Sequence, residues 1–386
     1  MTLRIAIAQI NFTVGDLAGN AKRILTVAEQ ALALGADLLL TPELALCGYP
    51  PEDLLLRPDF YRACARELAA LAALLPLPAI VGHPLEENGQ RYNAAYFVHK
   101  GAIKAIYRKT RLPNYEVFDE QRYFDCGQTS TVVEINGVRV GIAICEDVWH
   151  SGVAEATRTA GAELLLSLNA SPLHLNKQGV RHEVVRARAL ATGMPIVFAN
   201  LVGGQDELIF DGASFAMDGD GTLTHQMEAF AEAVVVVEFV GGRLVPGEIA
   251  AALSDEAEVY AALQLGVHDY VGKNGFPGVI IGLSGGMDSA LTLAIAVDAL
   301  GADKVRCVMM PSPYTAQMSL DDSREMVRRL GVQYDEIAIG PLMELYAVSL
   351  APTGDWGLRN RARSFGNAVT PCCEVRHGLV GGPELH

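Results

Sequence analysis

The sequence predicts an α/β protein built in two unequal parts. Three observations carry that reading. Short β-branched runs alternate with segments of helical period through roughly the first 240 residues. The breaker-rich stretch VGGRLVPGE, residues 240–248, then interrupts the pattern as a linker. Beyond it come strand, glycine loop, helix, strand, helix and strand, a doubly wound order that stops at three strands. Strands interleaved with helices bury apolar helix stripes against sheet faces, and so make layers.

The elements follow in order. Residues 3–9 alternate apolar and polar as a strand does, and 37–40 form a second, buried strand. Between them, residues 19–34 place Ile24, Leu25, Ala28, Ala31 and Leu32 on one helical face, with Gly35 as the stop. A second helix spans 60–74, followed by strands at 79–82, 92–98 and 102–108. Strands 132–135 and 138–144 flank Asn136-Gly137, the pair that suits a two-residue hairpin turn. Helices at 152–160 and 180–191 alternate with strands at 163–168 and 195–200, and strands at 212–217 and 233–240 complete the first part. The second part opens with a helix at 254–270. It continues with strand 278–283, helix 289–300, strand 304–310, helix 320–330 and strand 334–339. The expected division is a first domain at 1–245, a linker with connecting helix at 246–265, and a second domain at 266–386.

Bulk properties narrow the function. The chain has 386 residues, half of them hydrophobic, enough for a substantial core. Its net charge of −15 argues against a nucleic-acid partner, since that affinity rests on clustered Lys and Arg. The seven cysteines, at 47, 64, 126, 145, 307, 372 and 373, are odd in number and scattered, unlike a disulfide framework. The N-terminal MTLRIAIAQI lacks a basic n-region and a cleavage site, and no apolar run reaches the ~20 residues a membrane span needs. The expectation is a soluble, cytoplasmic protein.

Three chemically capable residues each follow a predicted strand: Glu43 in LLLTPELALCGYP, Lys109 in YRKTRLPNYEVFDE and Cys145 in VGIAICEDVW. Sheet ends commonly display catalytic side chains. A cysteine between a strand and a helix N-terminus should have its thiolate favoured by the helix dipole. A carboxylate can take the thiol proton, and a lysine can stabilise the oxyanion formed when a carbonyl is attacked.

The words TPELALCGYP, RKTRLPNYEVFDEQRYF and CEDVW, in that order and spacing, resemble the nitrilase (carbon–nitrogen hydrolase) superfamily over about residues 1–240. The resemblance implies an α-β-β-α sandwich and a Glu-Lys-Cys triad in a branch that hydrolyses glutamine. Glu43 would be the general base, Lys109 the oxyanion stabiliser and Cys145 the nucleophile, through a γ-glutamyl thioester. It also implies that Tyr115, Ser171 and Lys177 hold glutamine, and that Glu120, set among Glu116 and Asp119, orients Lys109. A hydroxyl and a cation suit an α-carboxylate.

The second motif is SGGMDS, residues 284–289, after the strand GVIIGL and before an apolar helix. Its glycines let backbone N–H groups approach a phosphate at a helix N-terminus. The spacing is not that of a Walker A loop. It resembles the ATP-pyrophosphatase family, which cleaves ATP between the α- and β-phosphates to adenylate a substrate. By that resemblance Gly282, Leu283, Ser284, Gly285, Gly286, Met287, Asp288 and Ser289 bind ATP, and Asp288 meets its magnesium. The segment MPSPYTAQMSLDDSREMVRRLGVQYDEIAI resembles NAD synthetases.

A nitrilase-type glutaminase fused to this pyrophosphatase type resembles the glutamine-dependent NAD synthetase family. That implies ATP-dependent amidation of deamido-NAD with ammonia drawn from glutamine, and by analogy a homo-oligomer. No tightly bound cofactor is expected beyond Mg-ATP as a substrate. From about residue 353 the chain departs from that family, LRNRARS at 358–364 being the last echo, which suggests a truncated or frame-shifted tail. Cys372, Cys373 and His377 lack the spacing of a metal site. The competing readings are a stand-alone nitrilase-type glutaminase or amidase, acting on glutamine or another small amide, with an inactive synthetase remnant, an RNA-modifying pyrophosphatase disfavoured by the acidic balance, and a non-catalytic scaffold.

Overall fold

A computed structural model describes residues 1–350 of the chain. The departing tail, with Cys372, Cys373 and His377, lies outside the described residues. The chain divides into two compact units between Ala262 and Leu263.

The first unit is a sandwich of two sheets. One has seven strands in the order Arg243–Leu244, Ala233–Val240, Thr2–Gln9, Leu38–Leu40, Ala79–Glu87, Gln90–His99, Ala102–Arg108. The other has six, in the order Leu223–Gln226, Phe215–Met217, Ile196–Asn200, Leu164–Asn169, Val138–Ile144, Thr131–Ile135. Alternation decides which side chains go where. Leu3, Ile5 and Ile7 of the first sheet pack with Val140, Ile142 and Ile144 of the second in a core between the sheets. Ala6 and Ala8, on the opposite face, pack under the helices Leu17–Ala33 and Pro58–Leu74. Ala143, Leu165 and Phe198 do the same for the second sheet, under Val153–Thr159 and Lys177–Thr192. The four layers are helix, sheet, sheet, helix.

Local chemistry set most of these elements. Asp16 caps the first helix, accepting from the Gly19 N–H at 3.0 Å. Pro58 opens the second at the position where a missing N–H costs nothing. Asn136 and Gly137 both adopt positive φ (50° and 80°) and close the Ile135–Val138 hairpin.

Other elements escaped the pattern. The ribbon Val202–Gln205 with Leu208–Asp211 was hidden by its glycines and acidic turn. Expected strand 212–217 is regular only at Phe215–Met217. The single helical turn Glu146–Trp149 is too short to show a period. The stretch expected to link the domains is hydrogen-bonded to both sheets. Val245 N–H donates to the Glu238 carbonyl at 2.8 Å, and Ala250 N–H to that of Gln226 at 2.9 Å.

In the second unit, Val279–Gly282, Val305–Met309 and Gln333–Glu336 form a three-stranded parallel sheet in that order. It packs with the helices Met287–Leu300 and Gln317–Leu330 through Val279, Leu293, Ala296, Cys307 and Val327. A helix not expected from sequence, Gly340–Leu350, closes the described part. Among the described residues no helix is long and apolar enough to cross a membrane.

Candidate active site

Glu43, Lys109 and Cys145 converge where the two sheets of the first unit meet. Lys109 follows the strand Ala102–Arg108 of one sheet, and Cys145 follows Val138–Ile144 of the other. Glu43 lies three residues past Leu38–Leu40. All three are at most 4% exposed.

The Lys109 ammonium sits among carboxylates. It donates to Glu43 Oε1 at 2.7 Å and to both Glu120 oxygens at 2.9 and 2.8 Å. Glu43 is pinned further. Asn93 Nδ2 donates to its Oε1 at 2.6 Å, and the Ala170 N–H to its Oε2 at 3.0 Å. Tyr49 donates to Glu120 Oε1 at 3.1 Å. Gly82 makes room for the Glu43 segment, since a Cβ there would lie 2.4 Å from the Leu44 nitrogen.

Burial and charge oppose each other here. Burial would lower the Lys109 ammonium, but Glu120 and Glu43 outweigh it and hold the group well above its ordinary range. Burial, with Glu43 close by, pushes Glu120 up to about 7, against the pull of Lys109. The Cys145 thiol is held well above the usual range, first by burial and then by Glu43, although Lys109 draws it down. This corrects the expectation of a dipole-favoured thiolate. The helix behind Cys145 is one four-residue turn, too short for a sizeable dipole, and the sulfur is desolvated. Burial and the Glu43 charge thus favour the protonated thiol.

Cys145 stands at a strained corner. Its φ is +44°, a left-handed region that costs a non-glycine residue ~1–3 kcal/mol. Cys145 N–H donates to the Leu168 carbonyl at 2.9 Å, which ties the corner to the neighbouring strand.

Two of the three expected glutamine contacts reach this corner. Tyr115 donates to Glu146 at 3.0 and 3.2 Å. Lys177 begins the helix Lys177–Thr192, and its Nζ lies 4.6 Å from the centre of the Trp149 ring. Both therefore meet the Glu146–Trp149 turn that follows Cys145. Ser171 is buried two residues beyond Asn169, and Arg181 Nε donates to its hydroxyl at 3.2 Å. Arg181 is itself fixed by a two-pronged pair with Asp211, at 2.6 and 2.8 Å. With Arg181 on the oxygen, the Ser171 hydroxyl keeps its proton to give.

Sequence reasoning missed Asn93, Glu146 and Asp147. Asn93 interrupts the apolar run of its strand, and a buried amide demands a partner. Glu146 and Asp147, acidic and buried directly after the cysteine, carry the same signal.

The SGGMDS loop of the second unit is open. Ser284 Oγ and Ser289 Oγ are 2.9 Å apart, and the Gly286 N–H donates to Ser284 Oγ at 3.3 Å. Gly285 has φ +76°, and a Cβ on it would lie 2.4 Å from the Ser319 carbonyl oxygen. The helix begins at Met287, 85% exposed, which places Asp288 in its first turn. Gly282 ends the strand, and Leu283 turns into the core. No cluster of three or more His, Cys, Asp or Glu fit for a metal occurs among the described residues.

Comparison with known proteins agrees with this division. The carbon–nitrogen hydrolase family model matches residues 4–243, and the NAD synthase model matches 259–364. The chain is 45% identical over 345 residues to a glutamine-dependent NAD(+) synthetase of Rhodobacter capsulatus, covering 88% of this chain and 62% of that one. Against the Xylella fastidiosa (strain Temecula1) protein of the same name it is 46% identical over 358 residues, covering 91% and 66%. It thus spans about two thirds of the length of these relatives. The structure of the Acinetobacter baumannii glutamine-dependent NAD+ synthetase with ADP superposes with a TM-score of 0.91 at 38% identity, covering 96% of this chain and 72% of that one. A mutant amidase from Nesterenkonia sp. AN1, which shows covalent addition of the acetamide moiety of fluoroacetamide at its active-site cysteine, matches with a TM-score of 0.56 at 27% identity over 61% of this chain and 90% of that one. The chain belongs to the carbon–nitrogen hydrolase family, joined here to a segment of the NAD synthase family in the combination found in glutamine-dependent NAD(+) synthetases.

Proposed function

We propose that the first unit is a glutaminase whose ammonia serves the amidation of deamido-NAD at the expense of ATP, releasing AMP, pyrophosphate and glutamate. The observation that carries the proposal is the dry Glu43–Lys109–Glu120 cluster against Cys145, on a chain that also bears the SGGMDS loop.

In this reading glutamine lies with its γ-carboxamide over Cys145. Glu43 takes the thiol proton as sulfur attacks the amide carbon, and Lys109 donates to the oxyanion that forms. The tetrahedral intermediate collapses as the C–N bond breaks, and the nitrogen leaves as ammonia with the proton from Glu43. A water that gives its proton to Glu43 then splits the γ-glutamyl thioester, returning glutamate and the thiol. Tyr115, Ser171 and Lys177 hold the amino-acid end of glutamine. The buried carboxylate of Glu146 offers the α-ammonium a partner. Glu120 keeps Lys109 charged and in place.

In the second unit, Ser284, Gly285, Gly286 and Ser289 bind the phosphates of ATP by N–H and O–H groups. Asp288 meets the magnesium that accompanies ATP as a single carboxylate beside phosphate oxygens. ATP adenylates the nicotinate carboxylate, and ammonia displaces AMP. A cytoplasmic location and a homo-oligomeric state belong to the same proposal.

The test is product analysis on the 386-residue chain with ATP, Mg²⁺, deamido-NAD and either glutamine or ammonium. AMP and NAD from both nitrogen sources support the whole proposal. Glutamate release alone confines it to the first unit. No glutamate from glutamine overturns it.

A further inference from the structure

The Asp147 carboxylate is fully buried and makes no hydrogen bond to a cationic side chain. It accepts four hydrogen bonds instead. Oδ1 takes the backbone N–H groups of Thr110 and Arg111 at 3.0 and 2.8 Å. Oδ2 takes the Ile144 N–H at 2.9 Å and the Tyr107 hydroxyl at 2.8 Å. These donors are not a random set. Tyr107, Thr110 and Arg111 bracket Lys109, at the end of an edge strand of the seven-stranded sheet. Ile144 immediately precedes Cys145, at the end of a strand of the six-stranded sheet. One carboxylate therefore clamps the two catalytic segments together across the sandwich. The Ile144 bond also closes the turn that holds Cys145 at positive φ.

We propose that Asp147 is a positioning residue that sets the distance between the Lys109 ammonium and the Cys145 sulfur; this rests on the roles assigned above to those two residues. Only an ionised carboxylate accepts from all four donors. An amide turns an NH₂ toward one pair. Tyr107 can rotate its hydroxyl to accept from that NH₂, but the Ile144 N–H has no such freedom, so the Cys145 side of the clamp loosens. Burial pushes Asp147 up to about 6, while the Ile144, Tyr107 and Arg111 donors and the charge of Lys109 pull it down, so these groups keep a buried acid usable as an acceptor.

The experiment compares the full chain with D147N, Y107F and C145A. It reads glutamate release from glutamine, the thermal midpoint, and alkylation of Cys145 by iodoacetamide against pH, followed by mass spectrometry of its peptide. In D147N, measured well below its midpoint, kcat should fall by about 30- to 100-fold with KM within about threefold, the loss expected for slight misplacement of reacting groups. Alkylation of Cys145 should be no faster than in the parent and should move to higher pH, because Lys109 no longer steadies the thiolate. Y107F, which removes one donor of four, should lose about three- to tenfold in kcat. A D147N kcat within threefold of the parent overturns the proposal. So does faster alkylation of Cys145, which would mean that the variant merely opens the fold. A parent chain that releases no glutamate, or a C145A variant as active as the parent, overturns the functional reading and this inference with it.

Discussion

The two candidate sites are built on opposite physical principles. Around Cys145 the side chains are buried, and Glu43, Glu120 and Lys109 satisfy one another before any substrate arrives. Around Ser284 the loop lies open, its two hydroxyls bonded to each other and to loop backbone. The difference follows from the ligands proposed. An uncharged amide offers little charge to bind, so the first site must carry preorganised electrostatics in a low-dielectric pocket. A triphosphate brings its own charge and magnesium, so exposed N–H and O–H donors at a helix N-terminus suffice.

The largest break in that comparison should come from Cys145→Ala. Glutamate release should fall by roughly 10⁴- to 10⁶-fold, as when a catalytic nucleophile is removed, with Mg-ATP affinity in calorimetry unchanged. Lys109→Met comes next. It strands Glu43 and Glu120 as buried carboxylates without their cation, and unfolding in urea should show a loss of roughly 3–5 kcal/mol together with all glutaminase activity. An exposed lysine would cost far less, so the size of the loss measures how dry the site is.

Glu120→Gln sharpens the same point through pH. Glu120 is raised in the folded protein from 4.5 to about 7. A raised acid contributes stability that is fully present below its unfolded value and is lost as pH rises through the folded value. The parent should therefore lose this contribution between about pH 4.5 and 7, and the variant should lack that slope in a series of melting curves. The smallest effect should follow Gly285→Ala. The new Cβ meets the Ser319 carbonyl and strains a positive φ. Mg-ATP affinity should weaken by about tenfold, or ~1.4 kcal/mol, while glutamate release stays within twofold. Loss of glutaminase activity in that variant would show that the two sites do not behave as separate devices.

Much of the site was legible because each part sits where a local pattern changes. Glu43, Lys109 and Cys145 all follow strands, and Asn136-Gly137 and Asp16 mark their own turn and cap. Asn93 and Asp147 were not legible as site residues. Their significance lies in partners 50 and 37 positions away, Glu43 and Thr110. The state of the Cys145 thiol was misjudged for a related reason. A helix start is visible in the sequence, but its length of one turn and the desolvation of the sulfur are not.

The sequence by itself determined the layered class, the order of the strands that carry the triad, and the chemistry available at each strand end. These depend on periodicity, turn residues and side-chain type, which are local. Only the tertiary structure decided that Lys109 lies between two carboxylates, that Arg181 and Asp211 stand behind Ser171, and that one aspartate joins the Lys109 and Cys145 segments. Those are consequences of two sheets closing on each other, where burial makes every polar group find a partner from a distant part of the chain.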